Sequence, residues 1–586
     1  MEILMTSLNT KYVHSNLAIR YIREYCKSLP VKIRIEEYTI NQHEDDIVGE
    51  IFRKELDVIC FSVYIWNLEQ TLRVAEMIKT LRSDITIVLG GPEVTYDSRA
   101  CLEKNQYIDI IIRGEGEATA RDLFNTLEQG LDLEEVYGIT FKSEGKIFEN
   151  PDRELIKNLD DIPFPYTESE LLNFQNKIVY YESSRGCPFN CAFCLSSTIR
   201  GLRYFSLDRA KSDLKKLLEA KVKQIKFVDR TFNASKNHAK EIMEFIIEND
   251  NRHTNVHFEI TAHLVDQEFL DILSKAPVGL FQFEIGVQTT HPETIKAIHR
   301  TTNFEQLAET VRKIDEIGNS HQHLDLIAGL PYEDYETFGK SFDDVYNLKP
   351  DKIQLGFLKL LKGSSLRLNA DTHEYKFSNY PVYEVFENKY MSFKEFRQLK
   401  TIEDLVEKYG NERRFFHSLE FLIKHYDMRP FKLFEEFAIY WESKDYHNCQ
   451  HGLKTLYNLL LEFYEFKFSE HADLFRELLK FDYMKSQNGK LLYEGAIDKS
   501  FNQAKHNFLQ NDEYRAKYLP EYENIPAKKL VNQVTIEKFK YDILGLIETD
   551  YKEINIKDPI YLFSKEGGYL KYEICLVQRI NEEFLQ

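Results

Sequence analysis

The stretch SRGCPFNCAFC, residues 184–194, determines how the rest of the chain is interpreted, because it places Cys187, Cys191 and Cys194 on one short loop. Three thiolates on a tight loop can hold three corners of a cubane iron–sulfur cluster. Since no fourth cysteine lies nearby, one iron of such a cluster would stay open to a ligand. Gly186 suits the sharp turn that this loop requires. The alternatives are a zinc site, which usually takes four protein ligands, and a chance spacing.

Outward from this loop, residues 177–365 alternate short apolar strands with amphipathic helices. Strands that are each followed by a helix are typical of a parallel sheet. Six such units favour a partial barrel over the full eightfold one. The predicted strands are Ile178–Glu182, Gln224–Val228, Val256–Thr261, Leu280–Ile285, His323–Ile327 and Lys352–Phe357.

The same alternation fills residues 1–135, ahead of the cysteine loop. Strands rich in Ile and Val, each followed by a helical pattern, predict a parallel sheet that is covered on both faces. Five units of this kind favour a flavodoxin-like, doubly wound domain, whose ligand lies beyond the carboxyl ends of the strands. The predicted strands are Ile3–Leu8, Val31–Tyr38, Asp57–Val63, Ile85–Leu89 and Ile108–Ile112.

Two further regions complete the predicted α/β architecture. Residues 136–176 are interpreted as a connector, in which Tyr137–Phe141 and Lys146–Phe148 flank a turn and predict a hairpin. In residues 366–586 the strand patterns fade and Phe, Tyr, Glu and Lys dominate, which indicates a mainly helical C-terminal domain. Within that domain, only the segment Tyr569–Val577 indicates a strand.

Composition narrows the classes of protein to consider. The chain has 586 residues, of which 43% are hydrophobic, so it can bury several cores. Its formal net charge of −19 argues against a nucleic-acid partner. No stretch approaches the ~18 consecutive apolar residues of a membrane span, and the N-terminus lacks a secretory pattern. The eight cysteines are no disulfide framework, so a reducing, cytoplasmic setting without a membrane partner is expected.

The Cys-x-x-x-Cys-x-x-Cys loop after the first strand of a partial barrel resembles the radical S-adenosylmethionine (SAM) enzymes. The resemblance covers about residues 177–360 and implies that Cys187, Cys191 and Cys194 ligate a [4Fe–4S] cluster. It also implies that the open iron takes the amino and carboxylate groups of SAM. Electron transfer then cleaves the sulfonium and gives a 5′-deoxyadenosyl radical.

Motifs at the other predicted strand ends agree with this resemblance. Polar groups at the carboxyl ends of barrel strands face the active site. Phe193, the aromatic residue before the last cysteine, is expected to contact the adenine, and Gly286 would permit a close approach. The SAM contacts implied in this way are Phe193, Asp229, Glu259, Glu284, Gln288 and Leu330.

Three loops at predicted strand ends of the first domain carry glycines or aromatic residues, and such glycines let backbone amides reach a ligand. Together with the downstream barrel, they resemble the cobalamin-binding class of radical SAM enzymes, in a subgroup with an added helical C-terminal domain. The cobalamin contacts that this resemblance implies are Ser7, Leu8, His14, Ser62, Tyr64, Trp66, Gly90, Gly91, Pro92, Glu93, Val94, Arg113, Gly114, Glu115, Gly116 and Glu117.

The chain departs from many corrinoid proteins in lacking an Asp-x-His-x-x-Gly signature. His14 and His43 are the only histidines before residue 130, and neither has that context. No imidazole is therefore expected to replace the cofactor's own base, and base-off cobalamin is predicted. The loop with Tyr64 and Trp66 is expected to cover the lower axial position. The alternative for Trp66 is simple packing between domains.

Three cysteines of the first domain bear on a different class of enzyme. Methylthiotransferases of the same superfamily carry a second cluster on three N-terminal cysteines. Cys26, Cys60 and Cys101 fall on separate predicted elements, so each is interpreted as a small buried hydrophobe. Cys449 and Cys575 have no assigned role.

The leading hypothesis is a cobalamin-dependent radical SAM enzyme, by resemblance a methyltransferase acting on an unactivated carbon of a small-molecule or peptide substrate. An external electron donor of the flavodoxin or ferredoxin type is implied. Alternatives are a cobalamin-dependent rearrangement or cyclisation without methylation, a corrinoid-binding sensor with a vestigial barrel, and a tRNA methylthiotransferase. The sequence does not identify the substrate.

Overall fold

A computed structural model of the chain describes residues 1–198, 201–486, 502–522, 525–530, 534–566 and 574–580. No helix within these ranges is both long and apolar enough to cross a membrane.

The first domain is built on one sheet. Its strands are β1 (Glu2–Asn9), β2 (Lys32–Thr39), β3 (Val58–Ser62), β4 (Thr86–Gly90), β5 (Ile110–Ile112), β6 (Ile139–Ser143) and β7 (Lys146–Glu149). They lie in the order β2-β1-β3-β4-β5-β6-β7, and the first five are parallel. This order confirms the predicted flavodoxin-like domain.

The hairpin β6–β7 differs from the prediction, which placed it in a separate connector. Ile112 of β5 pairs antiparallel with Ile139 of β6, so the hairpin extends the first sheet. The buried side chains of Ile139 and Phe141 join the core on one face of that sheet, which accounts for the position of the hairpin.

Helices cover both faces of this sheet, as a parallel sheet requires. They are α1 (Leu17–Tyr25), α2 (Glu44–Phe52), α3 (Leu68–Leu81), α4 (Pro92–Thr95), α5 (Ser98–Lys104) and α6 (Gly116–Gln129). One core contains Ile47 of α2 and Val74 of α3. The other contains Ile19 of α1 and Leu123 of α6.

The central domain is an open barrel, as predicted. Its region contains α7 (Glu168–Asn173), β8 (Ile178–Tyr181), β9 (Ser184–Gly186), β10 (Leu202–Tyr204), α8 (Leu207–Glu219), β11 (Gln224–Phe227), α9 (Lys236–Glu248), β12 (Asn255–Ile260), α10 (Gln267–Leu273), β13 (Phe281–Gln288), α11 (Pro292–Ala297), α12 (Phe304–Ile317), β14 (His321–Ala328), α13 (Tyr335–Tyr346) and β15 (Lys352–Phe357). The six-stranded parallel sheet has the order β15-β14-β13-β12-β11-β8, and β9–β10 is a separate hairpin.

The C-terminal region is mainly helical, as predicted. Its elements are α14 (Ser365–Leu368), β16 (Lys376–Phe377), β17 (Val385–Glu387), α15 (Phe393–Leu405), α16 (Phe416–His425), α17 (Pro430–Ser443), α18 (Leu453–Lys467), α19 (Ala472–Ser486), α20 (Asn502–Gln510), α21 (Asp512–Tyr518), α22 (Ala527–Leu530), β18 (Val534–Lys538), α23 (Ile543–Glu548), β19 (Ile560–Glu566) and β20 (Ile574–Ile580).

This region contains more strands than the sequence indicated. Strands β18, β19 and β20 form an antiparallel sheet, and β20 overlaps the predicted terminal strand only at residues 574–577. Residues 569–573 of that prediction lie outside the described part. The apolar side chains of Ile536, Leu562 and Ile580 pack into one small core, which explains why the three strands associate.

The neighbouring domains cover both edges of the open barrel. At β8, the backbone N–H of Ile178 donates to the carbonyl of Val13, 2.8 Å away, from the loop after β1. At β15, the side chain of Asn411 accepts from the N–H of Ile353 at 2.9 Å and donates to its carbonyl at 3.1 Å. Edge strands expose unpaired backbone groups, so these contacts protect the barrel from pairing with other chains.

Candidate active site

The cysteine loop leaves the barrel through the hairpin β9–β10. Gly186 has φ +100°, and a Cβ there would lie 2.0 Å from the carbonyl oxygen of Gly201. Only glycine tolerates both the left-handed conformation and this approach. The close crossing brings the two ends of the cysteine loop together, so Gly186 fixes the base of the loop.

All three thiols of the loop are free and partly exposed. Thr231 Oγ1 lies 3.7 Å from Cys187 Sγ, Arg300 Nη1 donates to Cys191 Sγ at 3.7 Å, and the N–H of Ser196 donates to Cys194 Sγ at 3.4 Å. Burial raises the pKa of Cys191, and the charge of Arg300 opposes that shift. Donors at Cys191 and Cys194 suit thiolates that carry a cluster, whereas the hydroxyl of Thr231 donates to the carbonyl of Arg230.

The metal-binding capacity of the cysteine loop rests on the donor atoms that it supplies. Within the described ranges, no group of three or more His, Cys, Asp or Glu side chains is close enough to hold one metal ion. The loop supplies three thiols, which is the donor set of a cubane with one open iron, whereas a structural zinc site takes four protein ligands. The donor set therefore fits a [4Fe–4S] cluster.

Thr231, Ser196 and Arg300 were missed by the sequence reasoning. Thr231 stands just beyond the end of β11, a position where a polar residue faces the mouth of the barrel. Arg300 follows α11, and its Nη2 also donates to the carbonyl of Gly286 at 2.8 Å. Because Arg300 follows a helix rather than a strand, no strand-end pattern in the sequence indicates it.

Asp229, a predicted SAM contact, is bonded to the strand that leads into the cysteine loop. Its carboxylate accepts from the N–H of Ser183 at 2.8 Å and from the hydroxyls of Ser183 and Ser184 at 2.7 and 2.6 Å. Burial raises its pKa to about 6 despite these hydrogen bonds. In this structure the side chain of Asp229 therefore supports the loop.

Glu284, a predicted SAM contact, lies inside the barrel between two basic side chains. Its Oε2 is 2.9 Å from His257 Nε2 and 3.3 Å from Lys226 Nζ. Burial opposes ionisation, but these partners outweigh it and hold the pKa of Glu284 at about 2. Glu284 is therefore a carboxylate at neutral pH.

The pKa values of two further acids in the barrel are shifted in the opposite direction, upward. Burial raises the pKa of Glu259, with Arg230 opposing, and burial together with Glu284 raises the pKa of Asp325 well above its ordinary value. Within the described part, Asp325 Oδ1 is buried without a hydrogen-bond partner. Both carboxyl groups are therefore harder to ionise inside the barrel than they are in water.

The remaining predicted SAM contacts lie near the same mouth. Gln288 has φ +72° and folds over Gly286, where a Cβ would lie 2.3 Å from its Nε2. Its Oε1 is buried without a partner in the described part of the chain. Phe193 is partly buried against the barrel core, and Leu330 is fully buried.

In the first domain, Tyr64 and Trp66 form a stacked pair after β3. Their rings are 4.4 Å apart with an interplanar angle of 6°, and Trp66 is 42% exposed. Tyr64 is within electrostatic range of Arg230 and Glu182 of the barrel. Ser62 Oγ accepts from Asn16 Nδ2 at 3.1 Å. An exposed aromatic face therefore stands at the strand ends that face the barrel.

Ser7 and Leu8 lie at the end of β1 in the same domain. Ser7 donates to the carbonyl of Ser62 over 3.5 Å, and Leu8 is fully buried. His14, in the following loop, has its Nδ1 2.8 Å from the hydroxyl of Tyr180 on β8. His14 thus contacts the barrel edge, where burial lowers its pKa.

The Gly90–Val94 segment makes a tight crossing and then contacts the chain beyond the barrel. Gly91 has φ +122°, and a Cβ there would lie 2.3 Å from the carbonyl oxygen of Val63. Pro92 begins α4, and Val94 is buried. Glu93 Oε1 lies 3.0 Å from Lys362 Nζ and accepts from the hydroxyl of Tyr383.

The RGEGE segment, residues 113–117, binds protein groups at every charged position. Arg113 is buried and donates to Asp152 at 2.8 Å. Gly114 has φ +71°, and a Cβ on Gly116 would lie 2.8 Å from a side-chain carbon of α1. Glu115 and Glu117 form ion pairs with arginines of the hairpin that carries the cysteine loop.

The first domain contains three cysteines, which lie in or against its two cores. Cys26 and Cys60 are buried in one core, whereas Cys101 packs beside the core on the opposite face of the sheet. Burial raises the pKa of Cys26 to about 12 and of Cys101 to about 11, and it also raises that of Cys60. Protonated thiols that are divided between the two faces of a sheet are poor cluster ligands, which agrees with the packing role predicted for them.

Three protein families match successive parts of the chain. Residues 4–124 match the B12 binding domain and residues 181–345 the Radical SAM superfamily. Residues 371–563 match a family described as "Protein of unknown function (DUF4080)". A cobalamin-binding domain, a radical SAM domain and a third domain thus follow one another.

Several relatives match about half of the chain. An uncharacterized methyltransferase of Pyrococcus horikoshii is 29% identical over 51% of this chain and 68% of its own length. The cobalamin-dependent radical SAM methyltransferase TokK of Streptomyces tokunonensis is 27% identical over 48% of this chain and 44% of its own. An anaerobic magnesium-protoporphyrin IX monomethyl ester cyclase of Rubrivivax gelatinosus is 26% identical over 54% and 59%. The chain spans less than two thirds of the last two.

Solved structures share the fold. The radical SAM methyltransferase TsrM of Kitasatospora setae, with cobalamin and a [4Fe–4S] cluster bound, has a TM-score of 0.57 at 16% identity, covering 65% of this chain and 78% of that one. The cobalamin-dependent SAM radical enzyme OxsB, with aqua-cobalamin bound, has a TM-score of 0.58 at 16% identity, covering 83% and 81%.

Proposed function

Because this chain belongs to the radical SAM enzymes that carry an N-terminal cobalamin-binding domain, we propose that it is a methyltransferase acting on an unactivated carbon. The substrate class is a small molecule or a peptide. When bound, the cluster, SAM and cobalamin supply reductive SAM cleavage, hydrogen abstraction and the methyl group, chemistry that side chains lack.

The observation that carries this proposal is a contact between the two domains, at the edges where the carboxyl ends of their strands lie. Tyr96, beyond β4 of the first domain, lies with its hydroxyl 2.6 Å from Thr198 Oγ1, just after the cysteine loop. Glu115 and Glu117, beyond β5, pair with arginines on either side of that loop. A cofactor bound at one of these edges would therefore face a cofactor bound at the other edge. Two cofactors that act on one substrate must be placed in this way.

The chain's own residues would hold and orient each group. Cys187, Cys191 and Cys194 are the proposed cluster ligands. Arg300, beside Cys191, would neutralise the SAM carboxylate at the open iron. The unpartnered oxygens of Gln288 and Asp325 would bind polar groups of SAM, since buried polar atoms without partners are costly.

On the cobalamin side, the Tyr64–Trp66 pair is the proposed cover for the lower axial position. Its exposed face is apolar, so it would exclude water without donating a strong ligand. His14, bonded to Tyr180, is not expected to reach the cobalt. The tail of the cofactor would lie beside Gly90-Gly91-Pro92, whose course is set by the tight crossing of Gly91 over Val63.

Anaerobic reconstitution tests the proposal. Wild type supplied with iron, sulfide, cobalamin, SAM and a chemical reductant should produce 5′-deoxyadenosine. Replacing Cys187, Cys191 or Cys194 with alanine should abolish that product, because each variant removes one of three protein ligands. Cys26→Ala and Cys60→Ala are the controls and should keep the iron content. Full 5′-deoxyadenosine production by any loop variant would remove that cysteine from the ligand set.

A second candidate is a cobalamin-dependent cyclisation without methylation, favoured by the match to the Rubrivivax cyclase. Methyl transfer adds one CH₂ unit to the product mass, whereas oxidative cyclisation adds none. Mass spectrometry of products from candidate substrates separates the two. Either reaction needs an external electron donor, proposed to be of the flavodoxin or ferredoxin type.

A further inference from the structure

The hairpin that carries the cysteine loop contains an unfavourable pair of charges. Arg185 of β9 and Arg203 of β10 stand directly opposite each other. Their side chains are only 13% and 17% exposed, so water screens them little. Like charges opposite each other destabilise a strand pair. A hairpin of three residues a side therefore needs compensating carboxylates.

These carboxylates come from the cobalamin-binding domain. Arg203 donates from Nη2 to Glu115 Oε1 at 2.6 Å and from Nη1 to Oε2 at 3.2 Å, a two-pronged contact. Arg185 Nη2 pairs with Glu117 Oε1 at 2.5 Å. Burial opposes the charge of Glu115, but Arg203 and Arg185 outweigh it and lower its pKa. Each arginine of the hairpin thus pairs with an acid of the neighbouring domain, and Glu115 Oε1 also lies 3.5 Å from Arg185 Nη1.

Further contacts make this network rigid. Arg185 also pairs with Glu182 at 2.7 Å, at the end of β8, and lies over the ring of Tyr21 at 5.6 Å. Glu115 accepts from the backbone N–H of Ile156 in the connector at 2.9 Å. The first domain, the connector and the barrel therefore meet at the base of the cysteine loop.

The geometry points to Glu115 and Glu117 as positioning residues for the iron–sulfur site: by neutralising Arg185 and Arg203, they hold the cysteine loop in its ligating shape. The RGEGE segment then acts on the cluster of the neighbouring domain. Docking of the cobalamin-binding domain and formation of the cluster site become coupled events. This inference rests on the proposed cluster at Cys187, Cys191 and Cys194.

The test uses the full-length, reconstituted protein and the cluster itself as the readout. Glu115→Gln and Glu117→Gln are each challenged anaerobically with an iron chelator, and the loss of cluster absorbance is timed. Both variants should lose iron about tenfold faster than wild type, the usual scale for groups that orient metal ligands. The electron paramagnetic resonance of the reduced cluster should also become heterogeneous.

Glu135→Gln is the matched control, because it removes the same charge from an exposed site of the same domain. A charge exchange, Glu115→Arg with Arg203→Glu, should restore slow iron loss, whereas either single change should not. The exchange keeps the inference testable if a single variant folds poorly.

Three outcomes would overturn the inference, each in a different way. If wild type binds no cluster, the proposed function fails and the inference fails with it. If wild type binds a cluster but Glu115→Gln and Glu117→Gln lose iron at the wild-type rate, the inference alone fails. If Glu115→Gln loses cobalamin while its cluster stays as stable as in wild type, this acid belongs to the corrinoid site and the inference is also overturned.

Discussion

Gly186 determines whether the cysteine loop can close. A methyl group there meets the carbonyl of Gly201 at 2.0 Å, and the backbone is left-handed, so neither strain can be relieved by a rotamer change. Gly186→Ala is therefore expected to lose most of the iron that wild type binds after anaerobic reconstitution, measured as iron and sulfide per chain. Gly49→Ala, a helical site with nothing within 4 Å, should bind iron normally. Normal iron binding by Gly186→Ala would show that the loop has another route to closure.

The position of His14 bears on the prediction that no protein imidazole binds the cobalt. Its Nδ1 is occupied by the Tyr180 hydroxyl at 2.8 Å, and its loop is tied to β8. The electron paramagnetic resonance spectrum of the cob(II)alamin form should therefore lack superhyperfine splitting from an axial nitrogen. His14→Gln should give the same spectrum. Nitrogen splitting that disappears in His14→Gln would refute the base-off, histidine-free assignment.

Some residues of the site could be predicted from the sequence and others could not, for a physical reason. The cysteines lie within eight residues, so their spacing alone carries the chemistry. Glu115 and Glu117 pair with arginines 88 and 68 positions away, and nothing local in the segment reveals those partners. Gly116, which lies between them, predicts a close backbone approach, but not whether a ligand or a helix approaches. In this structure α1 approaches Gly116.

At the scale of elements, strand patterns predicted the parallel sheets well. In β14, every second residue from Gln322 to Ala328 is buried against the helices, while the intervening residues face the barrel interior. The sequence did not predict where the β6–β7 hairpin or the strand β18 would pair. Short antiparallel strands are placed by tertiary packing, which leaves little periodic signal.

Asp482 of α19 caps a different helix in the C-terminal region. Its carboxylate accepts from the N–H groups of His417 and Ser418, at 3.1 and 2.8 Å, at the start of α16. Asp482→Ala leaves both donors buried and unpaired. We expect it to lower the opening free energy of α16 by about 2 kcal/mol, measured by hydrogen exchange.

Burial raises the pKa of Asp482 to about 7, although Ser418 and His417 oppose the shift. The unfolded chain ionises near pH 4, so the folded state holds the proton more tightly between these values. Relative to Asp482→Asn, wild type should therefore lose stability as pH rises from about 4 to about 7, by at most about 1.4 kcal/mol per pH unit. Asp473→Asn, an exposed site on the same helix, should show no such trend. A pH-independent difference between wild type and Asp482→Asn would contradict the raised pKa.

At the scale of the molecule, the domains complete one another. The loop after β1 covers one barrel edge through Ile178, and Asn411 covers the other through Ile353. The sequence predicted four regions, but docking depends on single contacts between distant positions, such as His14 with Tyr180, 166 positions apart, and Glu93 with Tyr383, 290 positions apart. Such contacts leave no periodic pattern, so the arrangement of the domains could not be predicted.

The Gly90–Val94 segment is held from outside its own domain, and this contact sets the last prediction. Glu93 is only 5% exposed and pairs with Lys362, which also pairs with Asp97 at 3.0 Å. Lys362→Met leaves the buried carboxylate without its cation, and breaking such a pair typically costs about 3 kcal/mol or more. Because the pair joins two domains, the expected result is local opening between them: faster hydrogen exchange in α4 and faster proteolysis of residues 136–176.

Lys27→Met, which removes an exposed pair with Glu24, should change neither rate. Tyr383→Phe removes only a hydroxyl from the same carboxylate and should have a smaller effect in the same direction. If Lys362→Met exchanges and cleaves like wild type, the two domains are held together elsewhere, and the arginine pairs at the cysteine loop become the main candidates.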